Sequence, residues 1–282
     1  MALSQIKSML TGVPETMLAT LYGRAVEAMR EDAIIKDEKA IEIYNSIDYD
    51  YEASFGTLWR AMYTGFAIRS IIFDREINKF LSTYPDGTIV NLGEGLETHR
   101  FRIAKEQGLW LTVDVPEAIK IREQFIKPDQ RHLHISMSAL DSGWFDYVPL
   151  DKPVFITAQG LFMYLPLEEV KLIIQDIANT FNQGYLMFDI VPHWVSRKTM
   201  STQGWKLTKN YTVPQMPWGL NGNEVQSTLN SWLTNIEEIV DIGYDNYPRG
   251  VMKWLSLLIL SFTPLKNILA SSIVKLSFRN QN

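Results

Sequence analysis

The sequence predicts an α/β protein: a Rossmann-like, mostly parallel seven-stranded sheet with helices on both faces and a helical lobe ahead of it. Two observations lead to this prediction. Between about residues 88 and 190, short β-rich runs alternate with helical patterns, as in successive βαβ units. The first 80 residues, by contrast, carry only helical periodicity. A chain of 282 residues is long enough to bury one substantial core.

The helical lobe or cap is predicted over residues 1–80. Apolar residues recur at helical spacing over 17–30, a second helical run covers 36–45, and a third covers about 57–81. Charged runs at 30–32 and 36–39 are interpreted as solvated helix faces. The remaining residues, 81–282, form the predicted sheet domain.

Within that domain the strand predictions follow runs of β-branched and aromatic residues. They cover residues 88–92, 109–113, 132–137, 153–158, 184–189, 236–244 and 272–278. Helices are predicted over residues 97–107, 116–125, 167–181 and 223–233. This order favours parallel strands joined by right-handed crossovers. Residues of about 192–222, rich in proline and glycine, are expected to form an insertion on the substrate side.

Composition narrows the class of protein. The net charge is -5 and the pI about 5.5, with no basic patch, so a nucleic-acid partner is not expected. The absence of cysteine excludes disulfides, zinc–thiolate sites and a cysteine nucleophile. No secretory signal is visible, which favours the cytoplasm. The apolar stretch 251–265 is too short to span a bilayer and is interpreted as a buried helix or the face of a homodimer.

Two glycines and an acid mark the predicted ligand site. Gly93 and Gly95 follow the first strand, and Asp114 ends the second, about 20 residues after Gly93. Glycines at such a turn let the backbone approach a ligand, and an acid at the next strand end accepts hydrogen bonds from ribose hydroxyls. A plain turn followed by a helix-capping aspartate is the alternative. The combination favours a nucleotide-type ligand.

The loop chemistry then discriminates between cofactors. A dinucleotide fingerprint needs a third small residue, where this chain has Thr98, and Glu94 adds a carboxylate. A negative loop suits a pyrophosphate badly and suits a sulfonium cofactor with an ammonium group better. S-adenosylmethionine is therefore the predicted cofactor, and an NAD(P)-dependent oxidoreductase remains the alternative.

The motifs together resemble the leucine carboxyl methyltransferase-like family, which includes bacterial O-methyltransferases of polyketide biosynthesis and belongs to the class I S-adenosylmethionine-dependent methyltransferases. Six segments carry this resemblance, in order along residues 11–192. They are residues 91–98 (NLGEGLET), preceded by 11–16 (TGVPET) and 66–69 (FAIR), and followed by 113–117 (VDVPE), 138–141 (SALD) with Trp144, and 158–165 (AQGLFMYL).

The resemblance implies a cofactor site. Arg69 would pair with the methionine carboxylate, Asp114 would hold the ribose, and Gln159 would lie beside the ammonium. The other implied cofactor-binding residues are Gly93, Glu94, Gly95, Ser138, Ala139, Leu140 and Gly160. Two positions depart from the family pattern: Gln159 replaces the usual glutamate, and His99 stands where many members have arginine. An uncharged Gln159 should weaken cofactor binding unless Glu94 compensates, and a non-catalytic cofactor-binding protein is a further alternative.

The predicted reaction is transfer of a methyl group to an oxygen of a small molecule. A carboxylate is ionised at neutral pH and needs no general base, whereas an alcohol or phenol does. Tyr164 and His193 are expected to orient the acceptor. The expected pocket is lined by Tyr22, Arg24, Tyr164, His193, Trp194 and residues 211–218. His132 and His134 are interpreted as structural, and no metal-ligand spacing is found.

Overall fold

The computed structural model describes residues 15–56, 60–103, 107–244, 247–249, 253–254, 256 and 263–280. Residues 11–14 of the TGVPET segment and much of the apolar stretch 251–265 lie outside these ranges. The helices that come first are α1 (Thr16–Ala28), α2 (Glu38–Ser46), α3 (Tyr51–Phe55) and α4 (Arg60–Thr83). Helices α2 and α3 begin where an aspartate accepts a backbone N–H, Asp37 from Ala40 at 3.0 Å and Asp50 from Ala53 at 2.9 Å.

The next elements alternate as predicted. In chain order they are β1 (Thr88–Leu92), α5 (His99–Arg102), β2 (Leu109–Asp114), α6 (Pro116–Phe125), β3 (His132–Ser136), β4 (Val154–Ala158), α7 (Leu167–Thr180) and β5 (Gln183–Ile190). The helix predicted over 97–107 is wrong in length. Helix α5 makes a single turn, and Ile103, which caps it, has an extended backbone (φ -83°, ψ 114°).

The remaining elements are short apart from two strands. They are α8 (His193–Thr199), β6 (Trp205–Lys206), β7 (Thr212–Val213), α9 (Val225–Trp232), β8 (Ile236–Gly243), α10 (Thr263–Leu269) and β9 (Ser272–Arg279). Strands β6 and β7 pair as a small antiparallel hairpin inside the predicted insertion.

The seven-stranded sheet has the order β3-β2-β1-β4-β5-β9-β8, and the first five of these strands are parallel. Strand β9 runs antiparallel to both β5 and β8. Because the chain moves outward from β1 to β3 and then returns to the other side of β1 with β4, the strand order reverses between β1 and β4. Ligands of open α/β sheets bind at such a switch point, beyond the carboxyl ends of the strands.

Both faces of the sheet are covered, which confirms the predicted fold class. On one face, side chains of α7 and α9 pack against β1, β2, β4, β5 and β9. On the other, Ile72, Phe73 and Ile77 of α4 pack with Ile89 and Phe155. Helices α1 to α3 form a second core together with α6. Since α4 belongs to the lobe by sequence yet covers the sheet, the boundary near residue 80 stays a prediction.

Candidate active site

A cavity of about 780 Å³ opens beyond the carboxyl ends of β1, β2, β4 and β5. Helices α1 and α4 close one side of it, and the insertion containing β6 and β7 closes another. This is the place that the strand reversal designates for a ligand.

The loop after β1 forms the floor of the cavity. Gly93 and Gly95 have φ of 62° and 52°, a backbone region that residues other than glycine rarely adopt. A Cβ on Gly93 would lie 2.9 Å from Leu161 Cδ1, so space as well as φ requires glycine there. The N–H of Gly95 donates to Asp114 Oδ2 at 2.8 Å. The two predicted elements therefore meet at one edge of the sheet.

Asp114 is fixed before any ligand arrives. Its second oxygen accepts the N–H of Val115 at 2.8 Å. Burial raises the pKa of Asp114, although the N–H groups of Gly95 and Val115 partly offset this. The carboxylate keeps lone pairs beyond those two bonds, which suits it to accept hydrogen bonds from neighbouring hydroxyls.

Arg122 of α6 holds the same loop from behind. This buried side chain donates to the carbonyls of Gly95 and Glu97 at 2.8 and 2.9 Å and pairs with Glu94 Oε1 at 3.0 Å. The hydroxyl of Thr112 donates to the other oxygen of Glu94. Glu94 lines the cavity, and both of its oxygens are held by protein groups, one by a guanidinium and the other by a hydroxyl. Its expected role in binding the cofactor stays a prediction.

Residues after β3 form the rim near Asp114. Ser138, Ala139 and Leu140 all line the cavity. Ser138 Oγ accepts the N–H of Leu140 at 3.2 Å, and the carbonyl of Ala139 accepts the indole N–H of buried Trp144 at 3.3 Å. Leu140 remains 39% exposed, so it offers an apolar edge to a flat group in the cavity.

Arg69 reaches the cavity from α4 and is buried there, so it is no solvated surface charge. Its Nη1 lies 2.7 Å from Asp189 Oδ2 at the end of β5. The other oxygen of Asp189 accepts the N–H of Gly160 at 2.6 Å. Gly160 has φ of 70°, and a Cβ there would lie 3.1 Å from Arg69 Nη1. Arg69 Nε is buried without a hydrogen-bond partner among the described residues.

Asp189 was missed by the sequence reasoning. The available signal was its position, an acid near the end of the fifth β-type run, at the same edge as Gly93 and Asp114. Asp189 fixes Arg69 and Gly160 together, so it organises this side of the cavity.

Gln159 follows β4 and also lines the cavity. Its Nε2 donates to Glu97 Oε2 at 3.1 Å and to Ser70 Oγ at 3.3 Å. Its Oε1 is buried and has no partner among the described residues. The site therefore presents an open acceptor on Gln159 and an open donor on Arg69.

Several predicted pocket residues lie elsewhere. Tyr22 is buried in an aromatic cluster and stacks on Tyr51 at 5.3 Å between ring centroids. Arg24 is buried against Asp37 and Glu97. Neither lines the cavity, because both sit on the face of α1 that packs inside the lobe; Thr16, Met17, Ala19 and Thr20 line it instead. The interpretation of residues 36–39 as a solvated face is wrong for Asp37, which is 1% exposed.

His193 is the other correction. Its Nε2 lies 2.8 Å from Glu224 Oε2, and its side chain does not line the cavity, although the following Trp194 does. Glu224 caps the turn before α9 and also accepts the N–H of Asn221 at 3.0 Å. The partner that holds His193 is 31 residues away, so it was not visible in the local pattern.

His99, which departs from the family pattern, is buried with its Nδ1 2.5 Å from Asp74. The two residues belong to a buried charged cluster. Its other members are Arg24, Asp37, Glu97 and Arg102.

The far half of the cavity is apolar and aromatic. Its walls are Phe55, Tyr63, Tyr164, Trp194, Trp205, Leu207, Tyr211, Val213 and Met216. The β6–β7 hairpin is attached to α3, since Phe55 and Tyr211 pack edge to face at 4.9 Å and Thr208 Oγ1 donates to Ser54 O at 2.6 Å. Burial raises the pKa of Tyr164 to about 12, so its phenol is neutral at pH 7.

Two classes of feature are absent from the described ranges. No group of three or more histidine or acidic side chains there could hold a metal ion. No helix in the same ranges combines the length and the apolarity that crossing a membrane requires.

Comparison with known proteins adds the family. Residues 17–178 match the family described as leucine carboxyl methyltransferase, which is more than half of the 282 residues. The chain is similar to the tetracenomycin polyketide synthesis O-methyltransferase TcmP of Streptomyces glaucescens, with 29% identity over 79% of this chain and 85% of that protein. It is also similar to the S-adenosyl-L-methionine-dependent methyltransferase dpfgK of Gibberella zeae, with 32% identity over 65% and 67% of the two chains.

Solved structures agree at the level of the fold. A DUF574 family protein from Streptomyces avermitilis superposes with a TM-score of 0.53 and 12% identity, over 92% of this chain and 97% of that one. The plantazolicin methyltransferase BamL gives a TM-score of 0.50 at 12% identity, over 95% and 100%. Both matches extend over nearly the whole of this chain.

Proposed function

The chain belongs to the leucine carboxyl methyltransferase family, and from that premise we propose that it methylates a carboxylate of a hydrophobic small molecule. As a member of this family it is an S-adenosylmethionine-dependent methyltransferase. The name of TcmP describes an O-methyltransferase of polyketide synthesis, which supports an oxygen acceptor in secondary metabolism.

The polar part of the cavity, which we call the near half, fits the cofactor; it is formed by the loop after β1 with Asp114, Arg69 and Gln159. The open acceptor Gln159 Oε1 complements an ammonium group, and the open donor Arg69 Nε complements a carboxylate. These are the two charged groups at the methionine end of S-adenosylmethionine. Asp114 would accept from the ribose hydroxyls, and Leu140 with Ala139 would border the adenine. The pairing of one unsatisfied acceptor with one unsatisfied donor is the observation that carries the assignment.

The bound cofactor supplies an already activated methyl group, so the protein mainly has to align the acceptor. The far half does this with apolar walls that exclude water and favour a hydrophobic acceptor. Tyr164, a neutral phenol, can donate a hydrogen bond to the acceptor.

The shortage of a general base favours a carboxylate over an alcohol. Among the described residues, the only histidine lining the cavity is His99, which is buried against Asp74. The lining carboxylates are already engaged by arginine or backbone N–H donors; they are Glu94, Glu97, Asp114 and Asp189. Tyr164 holds its proton at neutral pH. A carboxylate is ionised without assistance, whereas an alcohol would need one of these groups to accept its proton.

Lys266 is the group that we expect to recognise this carboxylate. It lines the cavity from α10, one turn before Leu269, whose carbonyl accepts the indole N–H of Trp194 at 3.1 Å. The other basic residues that line the cavity are Arg69 and His99, and both have acidic partners. Lys266 has no ion-pair partner in the described ranges, so its charge is available to an anionic acceptor.

The cellular setting follows from the sequence and is part of the proposal. We expect a cytoplasmic enzyme with a small-molecule acceptor and no nucleic-acid partner, consistent with the net charge of -5. A homodimer and the division into a lobe and a sheet domain near residue 80 also remain proposals.

The experiment identifies the bond formed. The purified protein is incubated with labelled S-adenosylmethionine and a panel of hydrophobic acids and their matched alcohols. A methyl ester releases labelled methanol in mild base, whereas an ether does not. Base-stable product would contradict the carboxylate proposal. Calorimetry with S-adenosylhomocysteine and with NAD serves as the control for cofactor class, and binding of NAD alone would contradict the methyltransferase assignment.

A further inference from the structure

We propose that Glu97 is a positioning residue for Gln159: it fixes the amide with its oxygen toward the cofactor and supplies the negative charge that Gln159 lacks. This inference rests on the proposed placement of the cofactor ammonium beside Gln159. The uncharged Gln159 would then act together with the charged Glu97.

The hydrogen bonds around Gln159 admit one arrangement. The hydroxyl of Ser70 donates to Glu97 Oε2 at 3.0 Å, so the Ser70 oxygen is free to accept from the Gln159 amide at 3.3 Å. The same amide group donates to Glu97 Oε2 at 3.1 Å. An ionised carboxylate only accepts hydrogen bonds, so a flipped amide would bring two acceptor oxygens together. Glu97 therefore aims Gln159 Oε1 into the cavity.

Glu97 remains ionised although it is only 6% exposed. Burial by itself raises the pKa of Glu97, but Arg24 at 3.0 Å and Arg102 at 2.8 Å, with the N–H of Thr98, hold that pKa well below its usual range. The charged groups facing it come from α1, α4, α5 and the loop before α2. They are Arg24, Asp37, Arg69, Asp74, His99 and Arg102.

The negative charge of Glu97 therefore lies one hydrogen bond away from the Gln159 amide. In the cluster, carboxylates outnumber guanidinium groups by three to two, and His99 shares one of these carboxylates. A carboxylate that polarises the Gln159 amide makes its oxygen a stronger acceptor. The pair of Glu97 and Gln159 can in this way do the work of the single glutamate that the family usually carries.

The test moves the charge. In Gln159→Glu a second carboxylate would stand about 3 Å from Glu97, and two such groups cannot both ionise without a large penalty. We expect the dissociation constant for S-adenosylhomocysteine to rise about tenfold or more at pH 8. The loss should diminish toward pH 5, where one shared proton replaces the amide N–H. Gln124→Glu on α6, the same change away from the site, should alter neither affinity nor its pH profile.

The double variant Glu97→Gln, Gln159→Glu restores one carboxylate and one amide in exchanged positions. We expect it to recover most of the affinity at pH 8 and to lose the new pH dependence. Thermal unfolding of each variant separates this from misfolding, since Glu97→Gln also removes a partner of Arg24 and Arg102. If the single variant does not fold, the double variant decides, because a purely structural role for Glu97 predicts no recovery.

The outcomes are distinct. Binding by Gln159→Glu that is as tight as wild type, or tighter, at pH 8 would overturn this inference alone. A double variant no better than the single one would also overturn it. Failure of the unaltered protein to bind S-adenosylhomocysteine at all would overturn the proposed function, and this inference with it.

Discussion

The two halves of the cavity are built differently. In the near half, Asp114, Arg69 and Gln159 are each fixed by at least one partner at 2.7–3.1 Å, on the carboxyl ends of strands or on the long helix α4. In the far half, the walls are mostly apolar and aromatic side chains from α3, α8, the two-residue strands β6 and β7 and neighbouring segments, together with Lys266 of α10. Fixed polar groups specify one ligand, whereas apolar walls mainly specify size and shape. The cofactor half is therefore expected to be exacting and the acceptor half tolerant.

The largest effect should follow from Asp114→Ala. The variant removes the acceptor for the Gly95 N–H and the predicted partner of the ribose. We expect the dissociation constant for S-adenosylhomocysteine to rise about 100-fold, or about 3 kcal/mol, since hydrogen bonds to charged groups are the strong ones. Titration calorimetry measures this, with Asp86→Ala, an exposed aspartate paired with Lys152, as the control. Equal losses in both variants would remove Asp114 from the site.

Gly93→Ala should come next, through stability. The alanine would have to adopt a φ of 62°, and its Cβ would lie 2.9 Å from Leu161 Cδ1. We expect the free energy of unfolding to fall by about 2 kcal/mol and cofactor affinity to fall with it. Denaturant unfolding gives the first quantity and calorimetry the second.

The matched control is Gly204→Ala, in the insertion just before β6. Its φ is also 62°, but its Cβ would lie 3.3 Å from a Thr212 methyl group. It should cost about 1 kcal/mol of stability and leave cofactor affinity unchanged. If Gly204→Ala weakened cofactor binding as much as Gly93→Ala, the two halves would not be independent.

Lys266→Ala should separate the halves in the other direction. Loss of the lining ammonium should raise KM for a carboxylate acceptor about tenfold, while the dissociation constant for S-adenosylhomocysteine stays constant. The matched variant Lys127→Ala, on the surface after α6, should change neither. Unchanged KM in Lys266→Ala would show that another group recognises the acceptor.

The smallest effect concerns the scaffold alone. Glu76 of α4 pairs with Lys275 at 2.7 Å and Lys79 at 2.8 Å; although burial opposes it, these ion pairs lower the pKa of Glu76 to about 2. A lowered pKa stabilises the fold above pH 4.5, and that stability is lost as the pH falls toward 2. Glu76→Gln should therefore cost about 1 kcal/mol at pH 7, since Lys79 is exposed.

The pH dependence is judged by comparing the stability of Glu76→Gln with that of the wild type at each pH. The difference between Glu76→Gln and wild type should shrink as the pH falls below 4.5 and vanish near pH 2. Thermal unfolding at a series of pH values measures it, with the exposed Glu117→Gln as control. A difference that is constant with pH would mean that Glu76 acts through packing rather than charge.

The sequence predicted the fold and the floor of the site well because both depend on local patterns. The burial of every residue of β1 and β4 follows from their continuous β-rich runs, and parallel pairing of the strands brings Gly93 and Asp114 to one edge. It also placed Arg69 and Gln159 in segments that prove to line the cavity. Helix α3 escaped prediction, since five residues are too few to show a helical period.

The local sequence pattern by itself determined where each strand ends, which glycine must bend the backbone, and which acid follows the next strand. Only the tertiary structure decided how the charges are partnered. Glu94 meets Arg122, Gln159 meets Glu97, and Asp189 meets Arg69 across separations of 28, 62 and 120 residues. Whether a carboxylate is open to a ligand or already neutralised by a cation depends on a neighbour a few ångströms away. The packing of distant segments, rather than the adjacent sequence, determines which residue that neighbour is.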